Sequence, residues 1–130
     1  MATTKIVNGE KYLEGKGEMD YDYVNDILFF KIEDREYIRS IELNNLVVDI
    51  DSEDLLVGLQ IFDASKFLGI SKSNLKINNW QFKARITPST IEVRLVCQIN
   101  IRNMIKELSP IIIQENTARL PDSSVMAIAA

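Results

Sequence analysis

The sequence has no histidine and one cysteine, Cys97. Without imidazole the commonest general base and metal ligand is missing, and a lone thiol forms neither an internal disulfide nor a cysteine zinc cluster. Cys97 also falls on the inward stripe of an alternating stretch, where it reads as a small core residue and not a nucleophile. Glycine (5) and proline (3) are sparse, and no internal repeat or low-complexity segment interrupts the chain. No apolar run approaches the ~20 residues of a membrane helix. The opening MATTKIVNGEKYLEGKGE lacks the apolar centre of a signal peptide, so a cytoplasmic location without membrane association is expected. No feature calls for a cofactor.

What is present is enough for one domain. A chain of 130 residues buries roughly two thirds of the surface its unfolded form exposes and needs no covalent staple. The net charge of −4 hides an asymmetry: residues 1–65 carry 6 Lys/Arg against 15 Asp/Glu, and residues 66–130 carry 9 against 4. Opposite charges on the two halves favour their packing together, or a meeting of unlike surfaces between subunits or with a charged partner.

Residues 1–17, with three glycines and few apolar anchors, are expected as a mobile N-terminal arm or an edge strand. Residues 18–130 are expected as a single β-rich domain. Alternation over Met19 to Tyr23, Ile27 to Ile32 and Glu36 to Leu43 predicts three strands, separated by turns at Val24-Asn25-Asp26 and Glu33-Asp34-Arg35. After Asn44-Asn45 comes the clearest hairpin. Leu46, Val48 and Ile50 alternate with Val47, Asp49 and Asp51, Ser52-Glu53-Asp54 turns, and Leu55, Val57, Leu59 and Ile61 alternate with Leu56, Gly58, Gln60 and Phe62. Gly58 in mid-strand signals a bulge or a close approach, for which the Trp80 ring is the candidate. Asp63 is placed to cap a short helix ended by Gly69, and Ser71 to cap a second turn reaching Leu75.

The segments YDYVNDILFFKI (Tyr21 to Ile32) and VVDIDSEDLLVGLQIFDAS (Val47 to Ser65) carry a resemblance. Tyr21, Asp22, Asp26 and Leu28, then Val48, Asp49, Asp51, Val57, Gly58, Ile61, Asp63, Ala64 and Ser65, match the pattern of an uncharacterised family of short prokaryotic proteins, the domain-of-unknown-function family DUF2283. Residues 18–65 would be the family-like meander. Asp54 stands where that family usually has a turn glycine. The resemblance implies a β fold and no assigned activity, and it suggests an antitoxin-like or regulatory role beside a small basic protein.

A second, longer hairpin checks its own register. With Pro88-Ser89 as the loop, Ile86 faces Ile91, Arg85 faces Glu92, Ala84 faces Val93, Lys83 faces Arg94, Phe82 faces Leu95 and Trp80 faces Cys97. Only Lys83 and Arg94 clash in charge, which points to a nearby acidic surface or an anion. The pattern blurs from Asn103 to Pro110, Ile111-Ile112-Ile113 reads as a buried strand core, and residues 77–130 would form the second sheet and C-terminal tail. The fold class is therefore mainly β: an antiparallel β-meander plus a second antiparallel sheet, with one or two short helical turns between them. The expected core is Leu28, Phe30, Ile32, Val48, Ile50, Val57, Leu59, Ile61, Phe82, Ile86, Val93, Leu95 and Ile99.

Three groups are candidate sites. Asp49, Asp51, Glu53 and Asp54 begin like a calcium loop, but the sixth and twelfth positions are Asp54 and Gln60 instead of the required Gly and Glu, so a solvated turn is favoured over a metal site. Asp22, Asp26 and Asp63, with Ser65, could converge for metal-assisted, carboxylate-dependent hydrolysis, though the turn and capping roles of Asp26 and Asp63 compete with that reading. Lys83, Arg85, Arg94 and Arg102 would line one face for an anion or a partner; with no interleaved aromatic and a sequence pI near 4.9, nucleic acid is disfavoured. Leu56, Phe62 and Val96 point outward, and the uncharged terminus with Val125, Met126 and Ile128 needs cover, so these six residues are the expected oligomer interface. The expected function is non-enzymatic: a self-associating protein-interaction module, with the basic-protein binder and the hydrolase as alternatives.

Overall fold

Alternating apolar and polar residues become strands over most of the chain. The computed structural model describes residues 2–75, 77 and 79–129, and its strands are β1 (Thr3–Val7), β2 (Glu10–Asp22), β3 (Ile27–Ile32), β4 (Tyr37–Leu43), β5 (Leu46–Asp51), β6 (Leu56–Ile61), β7 (Asn79–Ile86), β8 (Thr90–Ile101), β9 (Met104–Leu108), β10 (Ile111–Glu115) and β11 (Ser123–Ala129). Among the described residues, one five-residue helix, α1 (Ala64–Leu68), and a single tight turn at Lys72–Asn74 lie between the two strand groups, so the class is mainly β as expected. The strand order is β10-β8-β7-β11-β2-β3-β6-β5-β4, with β1 on β2 and β9 on β8. The finer arrangement differs from a simple meander: β3 pairs β6, and β4 lies at the far edge. All pairs are antiparallel except β11 with β2, which makes the sheet mixed.

The sheet turns back on itself through β2. That strand pairs β1 and β11 along its first part and β3 along its second. The Phe30 ring on β3 meets the Trp80 ring on β7 at 4.7 Å. Three strand spacings separate β3 from β7 along the sheet, about 14 Å, so these rings touch only because the two halves stack face to face. Between them lies one core. Every residue expected there is buried, and Leu13, Leu55, Leu75, Ile91 and Leu120 join it. Burial also pushes the Cys97 thiol up to about 12, in keeping with a packing role.

Within residues 1–17, β1 is an exposed edge strand paired only with β2, but the residues after it are not an edge. β2 begins at Glu10 with partners on both sides, and Leu13 is fully buried on it. Its inward positions carry Gly15 and Gly17, an alternation too weakly apolar to be read as central. Gly17 explains the missing side chain: a Cβ there would stand 2.2 Å from the end of the Trp80 ring. Trp80 thus lies over Gly17, not over Gly58. At Gly58 the other expectation holds, because the register of β5 on β6 slips between Asp49↔Gly58 and Ile50↔Leu56. This bulge reverses the face of Leu56, which is fully buried and cannot be an outward contact.

The β7–β8 register is the one expected, pair for pair from Ile86↔Ile91 to Trp80↔Cys97. Thr87 N donates to Thr90 O at 2.9 Å and closes the Pro88-Ser89 loop. The blurred stretch forms β9, reached by a tight turn in which Arg102 and Asn103 have φ of 51° and 65°. Ile111 and Ile113 are not core residues: β10 is an edge strand, and they are 50% and 61% exposed. The uncharged terminus is the central strand β11, so Val125 is buried within this molecule; Ala130 and Met1 lie outside the described residues.

Candidate functional site

The family-like residues of the two segments meet at the mouth of α1. Asp26 follows β2 in a turn with φ 57° and is buried there. Its carboxylate accepts from Tyr21 Oη at 2.7 Å, from Ser65 Oγ at 2.5 Å and from the Ser65 amide at 3.0 and 3.2 Å, while its carbonyl accepts from the Ala64 amide at 3.0 Å. Burial pushes this carboxyl up, but the bonds from Ser65 and Tyr21 outweigh it and hold it below the usual carboxylate range. The same burial and the Asp26 hydrogen bond raise the Tyr21 phenol. Asp26, 39 residues upstream, does the capping expected of Asp63, whose side chain makes no cap bond. Asp63 sits at φ 52° and accepts through its carbonyl instead.

Of the set expected for hydrolysis, Asp26 and Ser65 meet, while Asp22 bonds elsewhere and the Asp63 side chain makes no cap bond. Asp22 holds Asn25 through its amide and side chain at 3.0 and 2.8 Å, and these bonds lower its pKa. Asp26 is committed to Tyr21 and Ser65, both of which donate to its carboxylate. The cluster ties β2 to the start of α1. Sequence reasoning placed Asp26 and Ser65 together but missed Tyr21 as the third member; a tyrosine five residues before a buried aspartate was the available signal.

The acidic turn is solvated only in part: Glu53 and Asp54 reach water, whereas Asp49 and Asp51 are buried. Asp51 is 2% exposed and accepts from the Glu53 and Leu55 amides at 2.9 and 3.0 Å. Arg35 Nη1 pairs with Asp51 at 3.1 Å and with Glu53 at 2.7 Å, and Nη2 donates to Thr4 Oγ1 on β1. Arg39 pairs with Asp54 at 3.1 Å. The Arg35 hydrogen bond lowers the Glu53 pKa. Asp54 takes φ 61°, the conformation a turn glycine would supply. Two arginines already supply the positive charge that a divalent ion would bring. Melts in EDTA, magnesium and calcium are accordingly expected to coincide within about 2 °C; a rise of about 6 °C with micromolar metal, lost in Asp49→Asn with Asp51→Asn, would establish a metal site.

Lys83, Arg85 and Arg94 share the outward face of β7 and β8, where Glu92 lies 3.6 Å from Arg94. Register extends this face in rows. Ile111, Arg94, Lys83, Met126 and Glu14 follow one another across β10, β8, β7, β11 and β2, and the next row runs Ile113, Glu92, Arg85, Ser124 and Tyr12. Val96, Gln81 and Ile128 form a third. The face is shallow, with a depression of 390 Å³ among Tyr12, Lys83, Arg85, Arg94 and Met126. Arg102 stands apart at the β8–β9 turn. Of the expected interface residues, Val96, Met126 and Ile128 come together here; Leu56 and Val125 are buried, and Phe62 is half-buried after β6. Sequence reasoning missed Ile111 and Ile113 as surface residues.

The profile of a family described as protein of unknown function, DUF2283, matches residues 18–65. A Methanosarcina mazei protein named putative hypoxanthine phosphoribosyltransferase is 33% identical over 107 residues, covering 81% of this chain and 86% of that protein. An uncharacterised protein of Methanocaldococcus jannaschii is 31% identical over 96 residues, covering 71% of this chain and 83% of that protein. No solved structure matches.

Proposed function

The chain belongs to the DUF2283 family of proteins of unknown function, and since that membership brings no activity with it, we propose that the protein is a non-enzymatic, self-associating interaction module. One observation carries this reading. The outward face of β10, β8, β7 and β11 places Ile111, Ile113, Val96, Met126 and Ile128 among its charges, where a sheet facing only water carries polar residues. The adjoining edge strand β9 adds Met104 and Ile105, 71% and 74% exposed, beside unpaired backbone groups. A second copy is a ready cover for such a surface, and a stable contact buries about 1,200 Å² or more.

The paired substitution Ile111→Lys with Ile113→Lys tests this surface without touching the core. Light scattering is expected to report a smaller particle than the wild type at equal concentration, with an unchanged melting curve at the monomer level. An equal mass for both proteins, whether monomeric or associated, rejects this face as the contact.

The charge of residues 1–65 favours a second reading, a basic protein partner on the face of β3 to β6. Such a partner would copurify with native protein and leave in high salt. The transferase name of the Methanosarcina relative gains no support from this geometry. Phosphate groups are commonly held where a glycine-rich loop opens a helix, and the one α-helix among the described residues spans only Ala64–Leu68.

A further inference from the structure

The outward face of the acidic half holds a cavity of 510 Å³ between β3, β6, β5 and the Arg35–Tyr37 segment. Register puts Lys31, Gly58 and Asp49 across from one another in its lining, with Ser40 on β4 next to Asp49. Asp49 is 8% exposed. Its Oδ1 accepts from Ser40 Oγ at 2.7 Å and from Gln60 Nε2 at 3.2 Å. Among the described residues no donor bonds Oδ2 and no Lys or Arg pairs with the carboxylate. The cations at the rim are engaged elsewhere: Arg35 with Asp51 and Glu53, and Lys31 with Glu18 at 3.4 Å.

Asp49 is largely buried without a charged partner, while Oδ2 keeps an open side toward the cavity, where a cation can reach it. Gly58 sharpens the point. A Cβ on it would stand 3.2 Å from Asp49 Oδ2 and 3.0 Å from Phe30 O, so the glycine is what leaves that oxygen uncovered. Phe29, Val57 and Tyr37 give the cavity apolar walls, and its volume falls within the roughly 300–1,000 Å³ of small-molecule sites. The surrounding half is acidic, which repels anions and draws cations in.

We propose that Asp49 is the recognition group of a site for a small organic cation, a protonated primary amine carried on an apolar body. The ammonium group bonds Oδ2 beside Gly58, and the body lies against Phe29 and Tyr37. This site does not depend on self-association, which involves the opposite face of the molecule.

The probe is benzylamine, titrated into the full chain at pH 7 and followed by backbone amide chemical shifts. Saturable binding near about 1 mM is expected, with the largest shifts at Asp49, Gly58 and Gln60. Benzyl alcohol, which keeps the ring and loses the charge, is expected to bind at least about tenfold more weakly, and Asp49→Asn to lose a similar factor for benzylamine. Gly58→Ala is expected to do the same by covering Oδ2, so an Asp49 variant that failed to fold would still leave two deciding arms. Absence of saturable benzylamine binding to the wild type at about 10 mM, or equal binding of amine and alcohol, overturns the proposal.

Discussion

Replacing Gly17 by alanine is expected to remove about 3 kcal/mol of stability, at the upper end of what one added methyl costs in a packed core. The reason is the Trp80 ring, whose outer atom lies 2.2 Å from where that methyl would be. The ring has little room to retreat: Phe30 meets it edge-on at 4.7 Å, and Phe82 stacks on it at 6.2 Å. Urea unfolding should show the loss, and a melt should fall by about 10 °C. Trp80→Phe shortens the ring system and should cost stability alone yet return part of the loss in the Gly17→Ala background. A coupling of about 1 kcal/mol or more in that double-mutant cycle supports the contact. A loss under about 0.5 kcal/mol for Gly17→Ala would mean that the halves do not meet as described.

Asp26→Ala is expected to cost about 3 kcal/mol. It removes the acceptor for Tyr21 Oη, Ser65 Oγ and the Ser65 amide together and leaves those donors inside the protein. It also puts alanine at φ 57°, which favours Asp or Asn. Asp26→Asn keeps the backbone preference and one acceptor, so it isolates the charge and should cost less. The carboxyl's pKa is lowered in the folded state, so its contribution is fully present above the unfolded value of about 3.9 and is lost as pH falls through the folded value. The wild type should therefore lose stability in acid over that window, and Asp26→Asn should lose less. Parallel acid limbs for the two proteins would show that the Asp26 charge does not stabilise the fold.

Where alternation was strong, the sequence was legible. The β7–β8 register could be written down because each apolar residue faced another and a one-residue slip would have turned Phe82 and Leu95 outward. The β5–β6 hairpin was equally plain, but its bulge was signalled only by Gly58, and the bulge decides that Leu56 is buried. β2 was missed as a central strand because Gly15 and Gly17 occupy inward positions that Ile32 on the neighbouring β3 and Trp80 on β7 fill. Ile111 and Ile113 looked like core because three successive isoleucines carry no alternation to mark the outward face of β10. The Asp26 network joins residues 39 apart in the chain, a contact no local pattern specifies. Arg35 was likewise read as a turn residue, and its pairing with Asp51 and Glu53 depends on how the β3–β4 connection crosses the sheet.

Self-association is tested most directly by sedimentation of the wild-type chain across a micromolar concentration series at low and high salt. The apolar residues among the charges on the outward face of β10, β8, β7 and β11 predict a mass above 14.8 kDa that grows with concentration. High salt should preserve or strengthen it, because screening relieves repulsion among Lys83, Arg85 and Arg94 while apolar contacts persist. A monomer at every concentration and at both salts would contradict it.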